Sequence, residues 1–358
     1  MENEATITHN SDFLFLYEAI QCNPNGDIDQ ENKPRMDYDN QINLVTDVRI
    51  KRYIRDFLKT LGKDIFVDME GENKVSPSTR LENIVKRVLA DEVEYEKILV
   101  DRPDLKAKLF EVKQKLGGDF NKIFNFLVTG KMPGEKKEEK DKDEKSGKKE
   151  KKWNEEFNFH VLAYLVKQKF IDIRFFGSAF AIGGFTKSYI GPIQLNWGYS
   201  LHKVQLMESN SIVTIMNDNS STIGKDYRVH YSLLAFAGTV NKYAAISTGL
   251  TEADLGEFRK AIWESIPAMP TRSKMNQYPK LYVEVVYNNG YNNGHFGDLR
   301  QYVSVTPTNG LDEKQMRKFD DLTLDLSKLK NALKGKVGDG QPVKEVKISN
   351  GYGVQFSL

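Results

Sequence analysis

The stretch FLFLYEAI, Phe13–Ile20, constrains the fold more than any other part of the sequence. It is a nearly continuous apolar run of strand length, and such a run is typical of a strand buried inside a sheet. Because the backbone groups of a buried strand need hydrogen-bond partners, other strands have to pair with it on its edges. We therefore predict a central strand at this position, with the rest of the domain built around it.

An amphipathic basic helix follows this strand after a long polar loop. Thr46 is suited to cap a helix that begins at Asp47 and extends to about Leu61, and Gly62 is suited to end it. Its apolar face contains Ile50, Ile54, Phe57, Leu58 and Leu61. The opposite face contains Arg52, Arg55 and Lys59, with Arg49 and Lys51 on the flanks.

The remaining elements predict an α+β fold. A helical block at residues 76–169 precedes strands at Phe170–Phe176, Val229–Val240 and Lys280–Tyr287, and a helix runs from the Thr251–Asp254 capping box to about Ile266, before Pro267. Without the insertions, the order is strand, helix, strand, strand, helix, strand, which is the ferredoxin-like arrangement. Two helices on one face of such a sheet leave the other face free, and RNA-binding modules use that face.

Composition excludes several classes of protein. The net charge is +2, and the charged run at residues 135–152 holds nine lysines and seven acids, which leaves 43 basic and 43 acidic residues elsewhere. A nucleic-acid-binding surface would therefore have to come from basic residues sorted in space. No apolar stretch approaches a membrane span, and the N-terminus is polar and acidic. A single cysteine, Cys22, excludes an internal disulfide or a cysteine zinc cluster, which fits a reducing cytoplasm.

The polar loop after the first strand has two interpretations. From Asn23 it carries side-chain oxygens with the spacing of a calcium loop, but Ile28 stands where such loops have glycine and Pro34 where they have glutamate. The plain alternative is a solvated surface loop, although a loop this long is usually functional. We predict no metal site and no cofactor.

The basic helix has a functional and a plain interpretation as well. Its arginines and lysines could bind phosphates together with Lys33 and Arg35 of the loop, because the arginine fork fits phosphate oxygens. An ordinary solvated helix face is the alternative. In the segment around Gly183, Gly184, Lys187 and Tyr189, the glycines allow close approach to a ligand or simply bend a hairpin.

Catalytic motifs are weak. His230 could act as a general base in RNA cleavage, although a strand histidine that is simply hydrogen-bonded is the much more frequent case. Asp27, Asp29 and Asp47 could assist cleavage of a bound RNA, but the sequence does not define their geometry. We therefore predict no catalytic residues and a protein that is not an enzyme.

A family resemblance rests on several motifs. They are Tyr17-Glu18-Ala19, Asn23–Asp27 (NPNGD), Pro34-Arg35, Val45–Arg55 (VTDVRIKRYIR), Phe176–Phe180 (FGSAF) and Gly191–Gln194 (GPIQ). Together they resemble the CRISPR-associated backbone protein, the seventh Cas protein, of type I Cascade complexes. The resemblance is greatest to the type I-B branch (Csh-two), followed by the type I-C branch (Csd-two), and it covers residues 12–60 and 170–290.

The resemblance implies a hand-shaped protein with four regions. They are an RRM-like palm (12–61, 170–176 and 229–290), helical fingers (62–169), a hairpin thumb (177–228) and a C-terminal extension (291–358). The strand VHYSLLAFAG lacks the aromatic signature of RNA-recognition domains, so we do not expect bases stacked on the sheet.

The same resemblance implies partners and binding residues. Copies of the chain would stack along one CRISPR RNA beside other Cascade subunits and present the RNA to target DNA. The expected RNA contacts are Asn25, Lys33, Arg35, Arg49, Lys51, Arg52, Arg55, Gly183, Gly184 and Lys187. The alternatives are a ribonuclease that uses a first-loop aspartate and a protein–protein scaffold without nucleic acid.

Overall fold

The computed structural model describes residues 5–70, 73–74, 76–91, 93, 103–132, 144–182, 185–208, 211–217 and 220–358. The chain divides into two compact units. The helical unit contains Met1–Thr6, Gly62–Pro192 and Tyr243–Asp254. The sheet unit contains Ile7–Leu61, Ile193–Lys242 and Leu255–Leu358.

The elements are as follows in chain order. The strands are β1 (Ser11–Cys22), β2 (Gly26–Asp27), β3 (Lys33–Pro34), β4 (Met36–Asp37), β5 (Ile42–Val45), β6 (Met69–Glu70), β7 (Asn73–Lys74), β8 (Gly177–Ile182), β9 (Phe185–Ile190), β10 (Ile193–Leu195), β11 (Gly198–Ser200), β12 (Ser211–Asn217), β13 (Ser220–Lys225), β14 (Val229–Val240), β15 (Gln277–Tyr287), β16 (Ser304–Pro307), β17 (Leu322–Asp325) and β18 (Val343–Asn350). The helices are α1 (Asp47–Thr60), α2 (Pro77–Ala90), α3 (Pro103–Lys115), α4 (Phe120–Thr129), α5 (Glu144–Lys169), α6 (Ile171–Phe176), α7 (Lys242–Thr248), α8 (Glu252–Ala268) and α9 (Ser327–Leu333).

Strand β1 lies at the centre of the main sheet, as the sequence predicts. The strand order is β18-β15-β1-β14-β11-β5-β4, and β10 also pairs with β14. Strand β1 is antiparallel to both neighbours, with Phe15 opposite Phe236 of β14 and opposite Tyr282 of β15. All residues of β1 from Ser11 to Ala19 are buried, so both of its faces are covered. The predicted strands that became β14 and β15 are confirmed.

One face of the sheet packs against α8 and α1. The ring centroids of Phe13 in β1 and Phe258 in α8 are 5.7 Å apart. Arg259 of α8 donates hydrogen bonds of 2.7 and 3.0 Å to the buried carboxylate of Glu284 in β15. Helix α1 is confirmed, and its buried side chains are Ile50, Tyr53, Ile54, Phe57 and Leu58.

The opposite face of the sheet, which the sequence predicted to be free, is buried by the C-terminal extension. Leu14 and Leu16 of β1 belong to one apolar cluster with extension residues such as Leu299, Leu329, Leu333, Val354 and Phe356. Glu18 on this face forms a 2.9 Å ion pair with Lys280 of β15, and only 6% and 5% of these side chains are exposed. The Lys280 Nζ also donates to the backbone oxygen of Tyr352 at 3.1 Å. The flat face that other RNA-binding modules use is therefore closed.

The predicted strand at Phe170–Phe176 is wrong, because this segment forms helix α6. The alternation of apolar and polar residues suggested a solvated strand face, but Asp172 is fully buried. Its carboxylate accepts the backbone N–H groups of Phe66 (2.8 Å) and Val67 (3.1 Å). Arg174 donates to Asp254 at 2.7 and 2.8 Å. Strands β10 and β11, which both pair with β14, supply the second strand of the predicted order instead.

The prediction of one long hairpin at residues 177–228 is also wrong. Strands β8 and β9 form one hairpin in the helical unit, and β12 and β13 form another in the sheet unit. Between them, β10 and β11 join the main sheet. The glycine-rich and polar composition of this segment predicted turns, but long-range pairing with β14 decides which of its strands leave the hairpin.

The predicted helical block is confirmed in the part of it that the structure describes. Helices α2 to α5 share an apolar cluster that includes Leu81, Leu109, Ile123, Val161 and Leu165. Residues 144–152 of the charged run begin α5, and residues 135–143 lie outside the described part of the chain. Hydrogen bonds between Thr251 and Asp254 confirm the predicted capping box. No helix in the described residues combines the length and apolar character of a membrane span.

The first prediction concerns the buried ion pair under the C-terminal extension. We expect Lys280→Met to reduce the free energy of unfolding by about 3–5 kcal/mol, because it leaves the Glu18 carboxylate buried without its cation. Urea denaturation measures this change. The control is Lys347→Met, which breaks the exposed pair with Glu345 on β18 and should cost under about 1 kcal/mol. Equal losses in the two variants would contradict the prediction.

Candidate nucleic-acid interface

The loop between β1 and α1, residues 23–45, is folded into short paired segments. Strands β2 and β3 pair with each other, and β4 pairs with β5, which joins the main sheet. Glu31, Asn32 and Gln41 have left-handed backbones, with φ values of 52°, 59° and 60°. Such conformations are unfavourable for residues with side chains and persist where the surrounding structure enforces them. The loop is therefore a defined part of the sheet unit.

Asn25 joins this loop to the start of α1. Its Oδ1 accepts hydrogen bonds from the backbone N and the Oγ1 of Thr46, both at 2.9 Å. Its backbone oxygen accepts the N–H of Arg35 at 3.0 Å. Asn25 was predicted to contact RNA. In the structure its side chain positions the N-terminus of α1, and its backbone oxygen positions Arg35.

Arg35 lies between an acid and an aromatic ring. Its Nη2 is 3.2 Å from Oδ1 of Asp27. Its guanidinium carbon is 5.9 Å from the centre of the Trp197 ring, where a cation is attracted to the ring face. The Nε of Arg35 is buried and has no hydrogen-bond partner in the described part of the chain. The Arg35 side chain is 27% exposed, so part of its guanidinium is open to solvent beside Asp27.

The cations of α1 are paired within the helix. Lys51 Nζ lies 2.8 Å from the carboxylate of Asp47, and Arg52 is paired with Asp56, both one helical turn apart. Pairs of this spacing on a half-buried helix face stabilise a helix weakly, so a phosphate can compete for the cation. The Arg55 side chain is half-buried. These two pairs offset only part of the charge of α1, which carries five cations and two acids.

Arg49 differs from the other cations of α1. Its guanidinium carbon lies 3.9 Å from the centre of the Tyr53 ring, so it is held over an aromatic face. The Tyr53 hydroxyl in turn accepts a hydrogen bond from Gln277 at 3.1 Å. Arg49 thus leans toward the segment between α8 and β15.

Two segments, residues 226–228 before β14 and residues 272–274 between α8 and β15, carry basic residues that the sequence prediction missed. Lys274 Nζ donates to the backbone oxygen of Asn23 at 2.7 Å. Arg228, just before β14, donates to the backbone oxygens of Gln21 (3.0 Å) and Arg272 (3.3 Å). The carboxylate of Asp226 accepts from Arg228 at 2.8 Å and from Arg272 at 2.9 Å. Three distant parts of the sequence therefore meet at the end of β1.

A second group of contacts joins the loop to the base of the β12–β13 hairpin. The Nζ of Lys33 lies 5.0 Å from the centre of the Tyr227 ring. The carboxylate of Glu31 accepts hydrogen bonds from the Tyr227 hydroxyl (2.7 Å) and from Lys225 (3.2 Å). Together the two groups form a surface that we call the basic cluster, which consists of Lys33, Arg49, Lys225, Arg228, Arg272 and Lys274.

The charges of the basic cluster influence one another. Burial, and after it the charge of Arg49, lowers the pKa of Lys274 from 10.5 to about 8. Burial disfavours the charged form of Asp226, but hydrogen bonds and charge from Arg228 and Arg272 outweigh it and hold the pKa of that carboxyl below its ordinary value. Burial therefore accounts for most of the Lys274 shift, and the repulsion from Arg49 shows that cations of this surface lie close enough to interact.

The structure does not bring all of the predicted residues together. Lys187 belongs to the helical unit, where its Nζ lies 5.1 Å from the centre of the Phe159 ring. Gly183 and Gly184 lie outside the described residues. The prediction that these three positions contact RNA remains untested.

Two of the candidate catalytic aspartates are in ion pairs, and the backbone N–H of the third, Asp29, donates to the Asp27 carboxylate at 3.4 Å. Asp27 pairs with Arg35 and Asp47 with Lys51. Burial, followed by the charge of Arg317, lowers the pKa of His230. The described residues contain no group of three or more His, Cys, Asp and Glu side chains placed to hold a metal ion. Burial raises the pKa of the Cys22 thiol to about 12, so this residue is a poor nucleophile.

Comparison with known proteins identifies the family. The family model of CRISPR-associated protein Cas7 matches residues 9–327. The chain belongs to the Cas7 family. A Cas7 protein of Haloferax volcanii is 29% identical to it over 335 residues, which cover 92% of this chain and 84% of the relative. The predicted family is thus confirmed, whereas the predicted type I-B branch remains a proposal.

Two solved structures resemble this Cas7 chain more distantly. One is a chain of a "CRISPR RNA-guided surveillance complex, pre-nicking", with 15% identity, a TM-score of 0.43 and coverage of 79% of both chains. The other, from a "CRISPR RNA-guided surveillance complex", has 14% identity, a TM-score of 0.37 and coverage of 79% of this chain and 77% of that chain. At these TM-scores, the two similarities carry no argument about this chain.

The lowered pKa of Lys274 generates the second prediction. Burying its charge costs stability at pH 7.5, below the folded pKa of about 8, so Lys274→Met should be more stable than the wild type there. Between pH 8 and pH 10.5 the folded protein has lost the Lys274 proton, whereas the unfolded chain still holds it. The wild type therefore gains stability as the pH rises, and the stability advantage of Lys274→Met should shrink. Urea denaturation at pH 7.5 and pH 10 measures it. A stability difference that does not change with pH would contradict the prediction.

Proposed function

We propose that this Cas7 protein binds the guide RNA of a type I CRISPR surveillance complex as its backbone subunit and presents it for pairing with target DNA. The carrying observation is the basic cluster, in which cations from the first loop, α1, residues 225–228 and the α8–β15 segment lie together. Arginine and lysine are the residues that hold phosphates. Membership of the Cas7 family supplies the biological context.

The closed sheet face supports contacts with the RNA backbone. The C-terminal extension buries Leu14 and Leu16 on the face where an RNA-recognition domain would stack bases. The remaining basic surface lies in loops at the end of β1. Phosphate contacts hold a strand without selecting its sequence. A protein that carries guides of many sequences requires that property, because base pairing supplies the specificity.

The paired acids make phosphate binding an exchange. Asp226 and Glu31 form ion pairs with cations of the basic cluster, and Asp27 forms an ion pair with the neighbouring Arg35. When a phosphate replaces such a carboxylate, one anion leaves the cation as another arrives. This exchange explains how a chain with a net charge of only +2 can bind a polyanion.

We assign the sheet unit to the RRM-like palm of the family. We count β1 as the first strand, β10 and β11 together as the second, β14 as the third and β15 as the fourth. Across the sheet these strands then lie in the order fourth, first, third, second, and α1 and α8 cover one face. This is the ferredoxin-like pattern. The helical unit corresponds to the fingers, and the hairpins β8–β9 and β12–β13 are the candidates for the thumb. Copies of the chain would stack along the RNA beside other subunits of the complex, in the manner of the type I-B branch.

The third prediction tests the basic cluster. Arg228→Gln with Arg272→Gln should weaken RNA binding by the same factor for RNAs of unrelated sequence, and the dependence of log K on log salt should become shallower by about 0.7 for each lost phosphate contact. Fluorescence anisotropy in a KCl series measures both. Asp226→Asn, which removes the competing carboxylate, should instead tighten binding.

The matched control for this prediction is Lys318→Gln with Lys347→Gln. It removes two exposed cations in the C-terminal region, each paired with a carboxylate, and should leave affinity nearly unchanged. Equal losses in the control and in the cluster variant would show that only the total charge matters. A loss confined to one RNA sequence would contradict backbone binding.

The fourth prediction concerns the ribonuclease alternative. We expect the chain assembled on guide RNA to leave complementary RNA intact in Mg²⁺, because the described residues group no three acidic, histidine or cysteine side chains around Asp27 or Asp47 to hold a metal ion. Denaturing gel electrophoresis of labelled complementary RNA measures this. Regularly spaced cuts that disappear in Asp27→Ala or Asp47→Ala would contradict the prediction and establish an enzyme.

A further inference from the structure

Trp197 is an unusual residue for the surface of the sheet unit. It connects β10 to β11, and 48% of its side chain is exposed. Exposed apolar side chains are common one by one, so exposure alone carries no conclusion. The neighbouring guanidinium of Arg35, 5.9 Å from the ring centre, adds a cation of the proposed RNA-binding loop to this aromatic face.

The backbone of Trp197 is held rigidly. Its carbonyl oxygen accepts a hydrogen bond of 2.8 Å from Nη1 of Arg300, and Arg300 is itself paired with Asp298. The N–H of Asn196 donates to Ala237 of β14 at 3.0 Å.

The residue after Trp197 is held as well. Gly198 lies against the Phe236 ring so closely that an added Cβ would overlap it. The half-exposed ring of Trp197 therefore stands on a backbone fixed from both sides, which is the requirement for a preorganised binding surface.

Arg35 supplies the charge that an aromatic surface lacks. Its Nη2 contacts Asp27 at 3.2 Å, and its buried Nε has no hydrogen-bond partner in the described part of the chain. An aromatic ring beside an arginine is the combination that binds single-stranded nucleic acid, since the ring stacks on a base and the arginine holds a phosphate. Every base has a π face, so such stacking does not select a sequence.

We propose that Trp197 stacks on one nucleobase of the bound RNA while Arg35 holds an adjacent phosphate. This inference rests on the proposed RNA-binding function and adds a contact to a base face, in contrast to the phosphate contacts of the basic cluster. It gives each copy of the chain one point at which a base is held.

The test compares two strands and two variants in the full-length chain. Trp197→Ala should weaken binding of a single-stranded RNA roughly tenfold, because stacking on one base is lost. The same substitution should leave unchanged the affinity for an abasic ribose-phosphate strand of equal length, which keeps the phosphates. Trp197→Phe, which preserves an aromatic face, should retain most of the RNA affinity. Fluorescence anisotropy measures all of these affinities.

A second readout comes from tryptophan fluorescence. The chain has three tryptophans, so Trp153→Phe with Trp263→Phe leaves Trp197 as the only reporter. RNA should quench its emission strongly and the abasic strand should quench it weakly. An equal loss on both strands in Trp197→Ala would reveal a merely structural role and overturn the stacking proposal.

The remaining outcomes separate this proposal from the proposed function. If the wild type binds RNA and Trp197→Ala binds it equally well, stacking is wrong while RNA binding stands. If the wild type binds neither strand, the proposed function and the stacking proposal both fail.

Discussion

The pairing of β1 with β14 and β15 is the constraint on which the sheet unit depends. Strand β1 is hydrogen-bonded along both edges and buried on both faces, so it cannot shift by one residue without moving its apolar side chains to the wrong layer. Phe13 faces α8, and Leu14 faces the C-terminal extension. Packing on both faces fixes the position of β1, and the candidate interface lies at the C-terminal end of this strand.

Closing the second face of the sheet changes where a nucleic acid can bind. In an open sheet of this topology the free face is the natural binding surface. Here the pair of Glu18 and Lys280, with the apolar cluster around it, commits that face to the C-terminal extension. We therefore propose that binding uses the loops after β1, before β14 and before β15, where the chain can present side chains without disturbing the sheet.

The cations of the basic cluster interact mainly with acidic residues beside them. Arg228 and Arg272 share the carboxylate of Asp226, and Lys225 shares Glu31 with Tyr227. Such pairing offsets part of the positive charge and reduces repulsion among the cations. It also explains why overall charge carries no sign of nucleic-acid binding, whereas the spatial arrangement does.

The sequence by itself determined the elements whose signals are local. The apolar run of β1, the Thr46 cap of α1 and the first-loop motif with Arg35 were all readable, because periodicity, capping and composition act over a few residues. Tertiary contacts decide that residues 171–176 form a helix, since a buried Asp172 looks like a solvated residue until its partners are known. Tertiary structure alone also united Arg228, Arg272 and Lys274 with the first loop and placed Trp197 beside Arg35, because contacts between distant segments leave no pattern in the local sequence.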